Sequence, residues 1–453
     1  GAADTTNSEA VVYAQNKTSL KSTNSNGVGK NAIALGKGAF AVGDSIAIGN
    51  GAYTQDGNRE KGQSVALGNG AVTGAKSTSI GSKAIGGREG TITIGANAKN
   101  EALYSTVVGT DSKITSDGKA YTATLPFVGK KSVIVQGAVS TSYGAHNTIT
   151  NEKKVFSGVA NSISGSANTV TNSNGVTIQG TGNTVSNAYK DMDISLGDLW
   201  NFSDGDYSSL AKKDSGAIAI IGGGNTISNQ TSSTVIGVGN TLKGENSTGV
   251  FTAGSHNTLT NVSNSLVMGD NNTLEGRKNV ISLGNKNTVT ADEAVAIGNG
   301  TTVSVESGVA IGVGSVADRV AESEKGARGE FAPDTIPTGQ ESTWTSTKGA
   351  VSVGDTANNI TRQITNVAAG REDTDAVNVA QLKKVNEEAG KHSVVTEGAN
   401  ITVTPEQAED GRMQYNVALN NNIRLSGDND AFVNISGDRK STRLNSSHGY
   451  ISY

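Results

Sequence analysis

The side chains able to carry out chemistry are few in this sequence. There is no cysteine, which excludes disulfides and thiolate metal ligands. Only His146 and His256 lie within the repetitive body of the chain, each directly before Asn-Thr. Other repeats carry Gly, Ala, Asn or Lys in that slot, so both histidines read as turn residues rather than bases or ligands. Carboxylates such as Asp44, Asp270 and Asp292 are scattered, as on a solvated surface. Gly312, Gly314 and Ala317 spell GxGxxA, but the string ends a strand phrase instead of opening a helix, the context that dinucleotide binding requires. P-loop, GxSxG, HExxH and EF-hand patterns are missing, as is the Gly/Asp nonapeptide of calcium-binding β-rolls. The expectation is a protein that is not an enzyme, with no catalytic, cofactor-binding or metal-binding residues.

The residues supply a period instead. In AVAIGNGTTVSVESGVAIGVG (294–314), VAIG ends at Gly298 and again at Gly312, fourteen residues on. The same phrase ends at Gly36, Gly49, Gly68, Gly95, Gly222, Gly237, Gly269, Gly284 and Gly354. Alternation by two marks each phrase as a short strand, and the glycine permits a turn with φ > 0. Placing the residues one and three before the glycine inside puts Val295 and Ile297 in the core. Ala296 is then left to meet a neighbouring chain, as are Ala47, Val235 and Val267 at the same step. A second strand follows in HNTIT, ANTVT, GNTVS, GNTIS, GNTLK, HNTLT, NNTLE and KNTVT. Its central residue (Ile149, Val170, Val185, Ile227, Leu242, Leu259, Leu274, Val289) should face inward, as should Val303 in the looser copy TTVSV. The Asn should adopt αL geometry and hydrogen-bond along a stack of turns. Strand, glycine turn, strand and turn make a coil of about fourteen residues, hence a parallel β-solenoid. Seventeen to twenty such coils, ~4.8 Å apart, would span roughly 80–95 Å.

Composition agrees with thin coils. Glycine makes up 59 of 453 residues, nearly twice the usual ~7%, and aromatics are only 4%. A formal net charge of −4 and no basic stripe with interleaved aromatics argue against nucleic acid. No apolar run approaches the ~18 residues of a membrane helix, and the start at Gly1 without a leader suggests a processed chain. Residues 1–30 read as a lead-in segment and 31–314 as the roll, with insertions near 51–63, 113–131 and 188–215. The last insertion concentrates Trp200, Phe202 and Tyr207, which are expected either to dock the loop onto the roll or to contact a ligand. Residues 315–361 form a more charged interruption and a last strand phrase, GAVSVGD. In 362–390 the period changes to three and four: Val379, Leu382 and Asn386 take a, d, a positions of a short parallel coiled coil, with N-capping groups in Asp373 to Asp375. A small β unit fills 391–438. Residues 439–453, including His448, read as a non-native tail.

The repeats and the stretch after them resemble the trimeric autotransporter adhesins, the YadA-like bacterial surface proteins. SIAIGNGA (45–52) and SVALGNGA (64–71) are similar to that family's head, and WTSTKGAVSVG (344–354) to its pre-neck segment. ITNVAAG (364–370) followed by DTDAVNVAQLK (373–383) is similar to its neck. Arg371 and Glu372 depart from the small or neutral residues commoner there. The resemblance implies a left-handed parallel β-roll, a homotrimer, and a neck in which Val377, Val379, Leu382 and Asn386 meet their copies. It also implies a C-terminal membrane anchor; none is present in the sequence, so a passenger fragment displayed at the bacterial outer membrane is expected. The partners would be further copies of the chain and a host matrix protein, a host-cell receptor or a partner bacterium, with no nucleic acid. Two other functions have partial support in the sequence. Outward T-x-T steps (Thr148/Thr150, Thr169/Thr171, Thr258/Thr260, Thr288/Thr290) suit an ice-binding plane, though Lys243 and Glu275 interrupt them. A solenoid acyltransferase needs three six-residue faces per coil, and fourteen residues do not divide that way.

Overall fold

A computed structural model describes residues 11–13, 27–28, 32–55, 62–116, 121–125, 129–133, 138–151, 158–190, 195, 197–198, 201, 208–323, 329, 332–391, 394–409, 411–426 and 432–436. It divides into two units, 1–363 and 364–453. Sixteen complete coils are described in the first, each with one strand in each of two parallel ladders. The first ladder runs from Ile33–Leu35 to Val309–Ile311 and the second from Phe40–Ala41 to Val316–Ala317. The coils are fewer than the period alone suggests because the insertions consume residues that further turns would need. At ~4.8 Å per coil they extend about 75 Å. Val351–Ser352 adds a half-coil in parallel on Val309–Ala310, and Val11–Tyr13 lies antiparallel on Ile33–Leu35 at the other end.

Register is strict, but the parity of the first strand is the reverse of the sequence expectation. Ala34, Ala47 and Ala66 stack in register, as do Ala296 and Ala310, and all five are at most 1% exposed. Val235 and Val267, at the same step, are fully buried too. Val295 and Ile297 point outward, Ile297 with 37% of its surface exposed. The glycine turn sets this parity: the residue two before it faces inward whatever its size. Large residues from the second strand then fill the space opposite. Ile149, Val170, Val185, Ile227, Leu242, Leu259, Leu274, Val289 and Val303 form that column, all buried. A larger apolar cluster spans 98–317, and an alanine cluster fills the coils of 32–71.

The corner after each first strand carries the sharpest constraint. One glycine per coil, from Gly36 to Gly312, sits there with φ between 103° and 151°. A Cβ on Gly237 would lie 1.9 Å from the carbonyl oxygen of Gly254 in the next coil. Two residues later comes an αL position, occupied by glycine or by residues such as His146 (φ 59°), Ala167, His256 (φ 56°) and Lys286. The two histidines are therefore turn residues, as expected, but the αL strain falls on their slot and not on the asparagine that follows.

That following position is mostly alanine or asparagine, with a hydroxyl residue in three coils, Ser112, Thr301 and Ser315. In early coils it is alanine, and the corner closes within the coil: Ala52 N–H donates to Gly49 O (3.1 Å) and Ala71 N–H to Gly68 O (3.2 Å). In eight later coils it is a buried asparagine, from Asn147 to Asn287. There the bonds run between coils. Asn225 Oδ1 accepts from both the backbone N–H (2.9 Å) and the Nδ2 (3.0 Å) of Asn240, whose Nδ2 also donates to Gly254 O (2.8 Å). The inter-coil amide ladder is as expected from the repeated Asn-Thr. Buried amides persist because each finds its partners on neighbouring coils.

The insertion expected at 113–131 begins later, since Lys113–Ile114 is a strand of the second ladder; within it Tyr121–Leu125 and Gly129–Val133 pair as an antiparallel hairpin. In the second unit a helix spans Val379–Ala389. Its N-cap is Asn378, in a capping box with Gln381, rather than Asp373 to Asp375. Asp375 is committed instead to the preceding turn, where its carboxylate accepts the N–H groups of Arg371 and Glu372. Two antiparallel hairpins follow, Ile401–Gln407 with Met413–Leu419 and Asn422–Ser426 with Phe432–Ser436.

The two glycine positions of a coil should differ in tolerance. Gly237→Ala meets both the strained φ and the 1.9 Å backbone overlap and should lower stability by at least ~3 kcal/mol. Gly300→Ala, at φ 64° with open space around it, should cost about 1 kcal/mol. Thermal unfolding followed by circular dichroism measures both, and equal losses would contradict this account of the corner.

Candidate functional surfaces

With the residue two before each glycine turned inward, the residues one and three before it form the outer face of the first ladder, many of them large and apolar. Ile48, Leu67 and Ile80 stand in one column, as do Leu283, Ile297 and Ile311. Ile311 is 42% exposed and Val351, on the half-coil, 68%. Serine and glutamine interrupt the apolar columns at Ser162, Ser164 and Gln179, after which Ile221 and Ile236 resume them. The apolar surface expected on the residue two before the glycine therefore exists, but one step to either side.

The second ladder presents different chemistry. Thr148, Thr169, Thr184, Thr226, Thr241, Thr258, Thr273, Thr288 and Thr302 are stacked in continuous register. Lys243 and Glu275 interrupt only the neighbouring column, beside Thr260. Lys113 and Val316 bound the threonine run at its two ends.

Trp200, Phe202 and Tyr207 lie outside the described residues. Their insertion does contain a charged anchor that the sequence reading missed. Asp198 is 6% exposed, and its carboxylate accepts from the N–H (2.8 Å) and Oγ (2.7 Å) of Ser195. Ser195 Oγ accepts the Asp198 N–H in return (3.2 Å), and Lys213 Nζ lies 2.8 Å from the carboxylate. Burial pushes this acid up, but Lys213 and the hydrogen bonds from Ser195 outweigh it and hold the group well below the ordinary carboxylate range. The S-x-x-D spacing of a capping box was the legible signal. Among the described residues no three His, Cys, Asp or Glu are grouped to hold a metal, and no helix is long and apolar enough to cross a membrane. His146 Nδ1 lies 3.9 Å from Asp111 at an exposed corner.

The neck residues are likewise unsatisfied within one chain. Val377, Val379 and Leu382 are all exposed, as is Asn386. Val385 adds a fourth exposed apolar residue that the a/d assignment passed over. Upstream, Asn378 Nδ2 donates to Val367 O (3.1 Å) and Gln381 Nε2 to Gly370 O (3.0 Å), so the helix start holds the ITNVAAG segment against itself.

Comparison with known proteins bears on this second unit. Residues 363–402 match the family described as the coiled stalk of trimeric autotransporter adhesin. The chain is 45% identical over 92 residues to autotransporter adhesin BadA of Bartonella henselae, a stretch that is 19% of this chain and 3% of that protein. It is 46% identical over 88 residues to trimeric autotransporter adhesin AtaA of Acinetobacter sp. (strain Tol 5), covering 18% of this chain and 2% of that one. The matched stretches are thus a small fraction of either relative. The stalk match and the two relatives make part of this chain similar to the trimeric autotransporter adhesins, in a protein whose larger unit is a parallel β-solenoid of glycine-cornered repeats.

Proposed function

We propose that the chain is a non-catalytic adhesin head that works as a homotrimer displayed at the bacterial outer membrane. The observation that carries the reading is the exposed apolar face of the first ladder, whose interior side is already occupied by the residues two before each glycine. Contiguous apolar surface of that extent marks an interface, and three copies about a common axis would bury it. Val377, Val379 and Leu382 would meet their copies in the neck, with Asn386 fixing the register of three helices. Each half-exposed isoleucine so covered contributes on the order of 1 kcal/mol. The threonine face would then remain outermost. A surface repeated on three chains favours multivalent attachment over a single deep pocket, to host matrix, host-cell receptors or other bacteria. Trp200, Phe202 and Tyr207 are our assignment for specific ligand contact.

A second reading has one observation in its favour: the uncharged threonine column, which suits an ordered ice lattice. The stalk match favours the adhesin.

Leu382→Asp together with Ile297→Asp should convert a trimer to monomers in light scattering while circular dichroism keeps its β signature; a wild-type chain that is already a stable monomer would refute the assembly. Replacing Trp200, Phe202 and Tyr207 with serine should lower adherence to matrix-coated surfaces several-fold with the spectrum unaltered, and undiminished adherence would remove these residues from the contact. On the adhesin reading the head shows no thermal hysteresis in a nanolitre osmometer. Hysteresis abolished by Thr241→Lys would replace that reading with ice binding.

A further inference from the structure

We propose that Arg362 is the terminal latch of the roll, standing in for the coil that would come next and closing the open strand edge just before the neck begins. The inference does not depend on the trimer. It rests on where the last coil's carbonyl groups find their donors. Between successive complete coils the donors are backbone amides: Ile297 O accepts from Gly312 N–H (2.7 Å) and Asn299 O from Gly314 N–H (2.9 Å). One coil later the same two positions are Ile311 and Val313; the half-coil phrase ending at Gly354 pairs with Val309 and Ala310, but among the described residues it brings neither carbonyl a glycine N–H of the kind the complete coils supply. Side chains take over. Ser315 Oγ donates to Ile311 O (2.7 Å), and Arg362 Nη2 donates to Val313 O (2.7 Å). Arg362 Nη1 donates both to Ser315 Oγ (3.1 Å) and to the carbonyl of Val353 on the half-coil.

The glycine column gives an independent sign of the substitution. A Cβ built on Gly284 would strike the carbonyl of Gly298, and one on Gly298 would strike Gly312. A Cβ on Gly312 would instead strike the guanidinium of Arg362, at 2.9 Å. The planar group therefore occupies the space of the absent backbone corner. A short return places it there: Asp355 and Ile360 exchange backbone hydrogen bonds of 2.8 Å, and the Ile360 side chain lies over Gly314. A guanidinium suits the task because its forked donors reach several oxygens at once and it stays charged at any physiological pH. Exposed strand edges invite pairing with other chains, and covering them is how β proteins avoid it.

The test is hydrogen exchange by mass spectrometry on the whole chain, comparing wild type, Arg362→Ala and Arg362→Gln. Arg362→Ala should exchange at least tenfold faster in peptides covering 309–317 and 351–355, with 281–298 unchanged. Arg362→Gln keeps a forked N–H donor and should fall between the two. Wild-type exchange at 309–317 in the alanine variant would overturn the latch, and so would a uniform loss through all coils. If Arg362→Ala does not fold, the glutamine variant decides alone: faster exchange confined to the last coil supports the latch, and none refutes it.

Discussion

Everything in the roll depends on one steric condition at the coil corner. The backbone must turn with φ beyond +100° while the next coil's carbonyl lies closer than any side-chain carbon could approach. Only glycine meets both demands. Because the same glycine recurs in every coil, the strands before and after it hold constant register. The parity of each strand is fixed as a further consequence: two residues before the corner is inside, one and three before it are outside. Size does not decide which residues are buried; position relative to the glycine does.

This explains what the sequence could and could not reveal. The period, the two-strand coil and the inward second strand were readable because they depend on recurrence and alternation. The parity of the first strand was not. A phrase such as VAIG is apolar on both sides of its alanine, so hydrophobicity alone favours Val295 and Ile297 as core. What reverses this is the glycine corner, which turns the residue two before it inward whether that residue is Ala296 or Ile220. The asparagine ladder was legible in the repeated Asn-Thr, whereas the αL residue was displaced by one because histidine, lysine, alanine and glycine disguise a shared backbone conformation. In the neck, Asn378 outcompeted the nearby aspartates as cap because Gln381 lies three residues beyond it, completing a reciprocal pair that spacing alone could have shown. The aromatic insertion offered composition without a period, and composition does not place side chains.

The reversed parity also gives the two ladders distinct characters. Isoleucine, leucine and valine lie outside on one, and threonine outside on the other, with the interior shared between them. A solenoid built this way has one largely apolar face and one that water wets. Since each is extended coil by coil, length and surface chemistry are set by the same repeat.

The change from alanine to asparagine at the corner has an evolutionary consequence. An alanine corner is self-contained, whereas each asparagine completes the bonding of the coil before it and depends on the coil after it. Every asparagine coil nonetheless offers the same donors and acceptors on its two sides. A gene segment encoding one such coil can therefore be duplicated or lost within that tract, and the two new neighbours meet with their amides already matched. Adding or removing a coil there would change the length of the solenoid by one strand spacing.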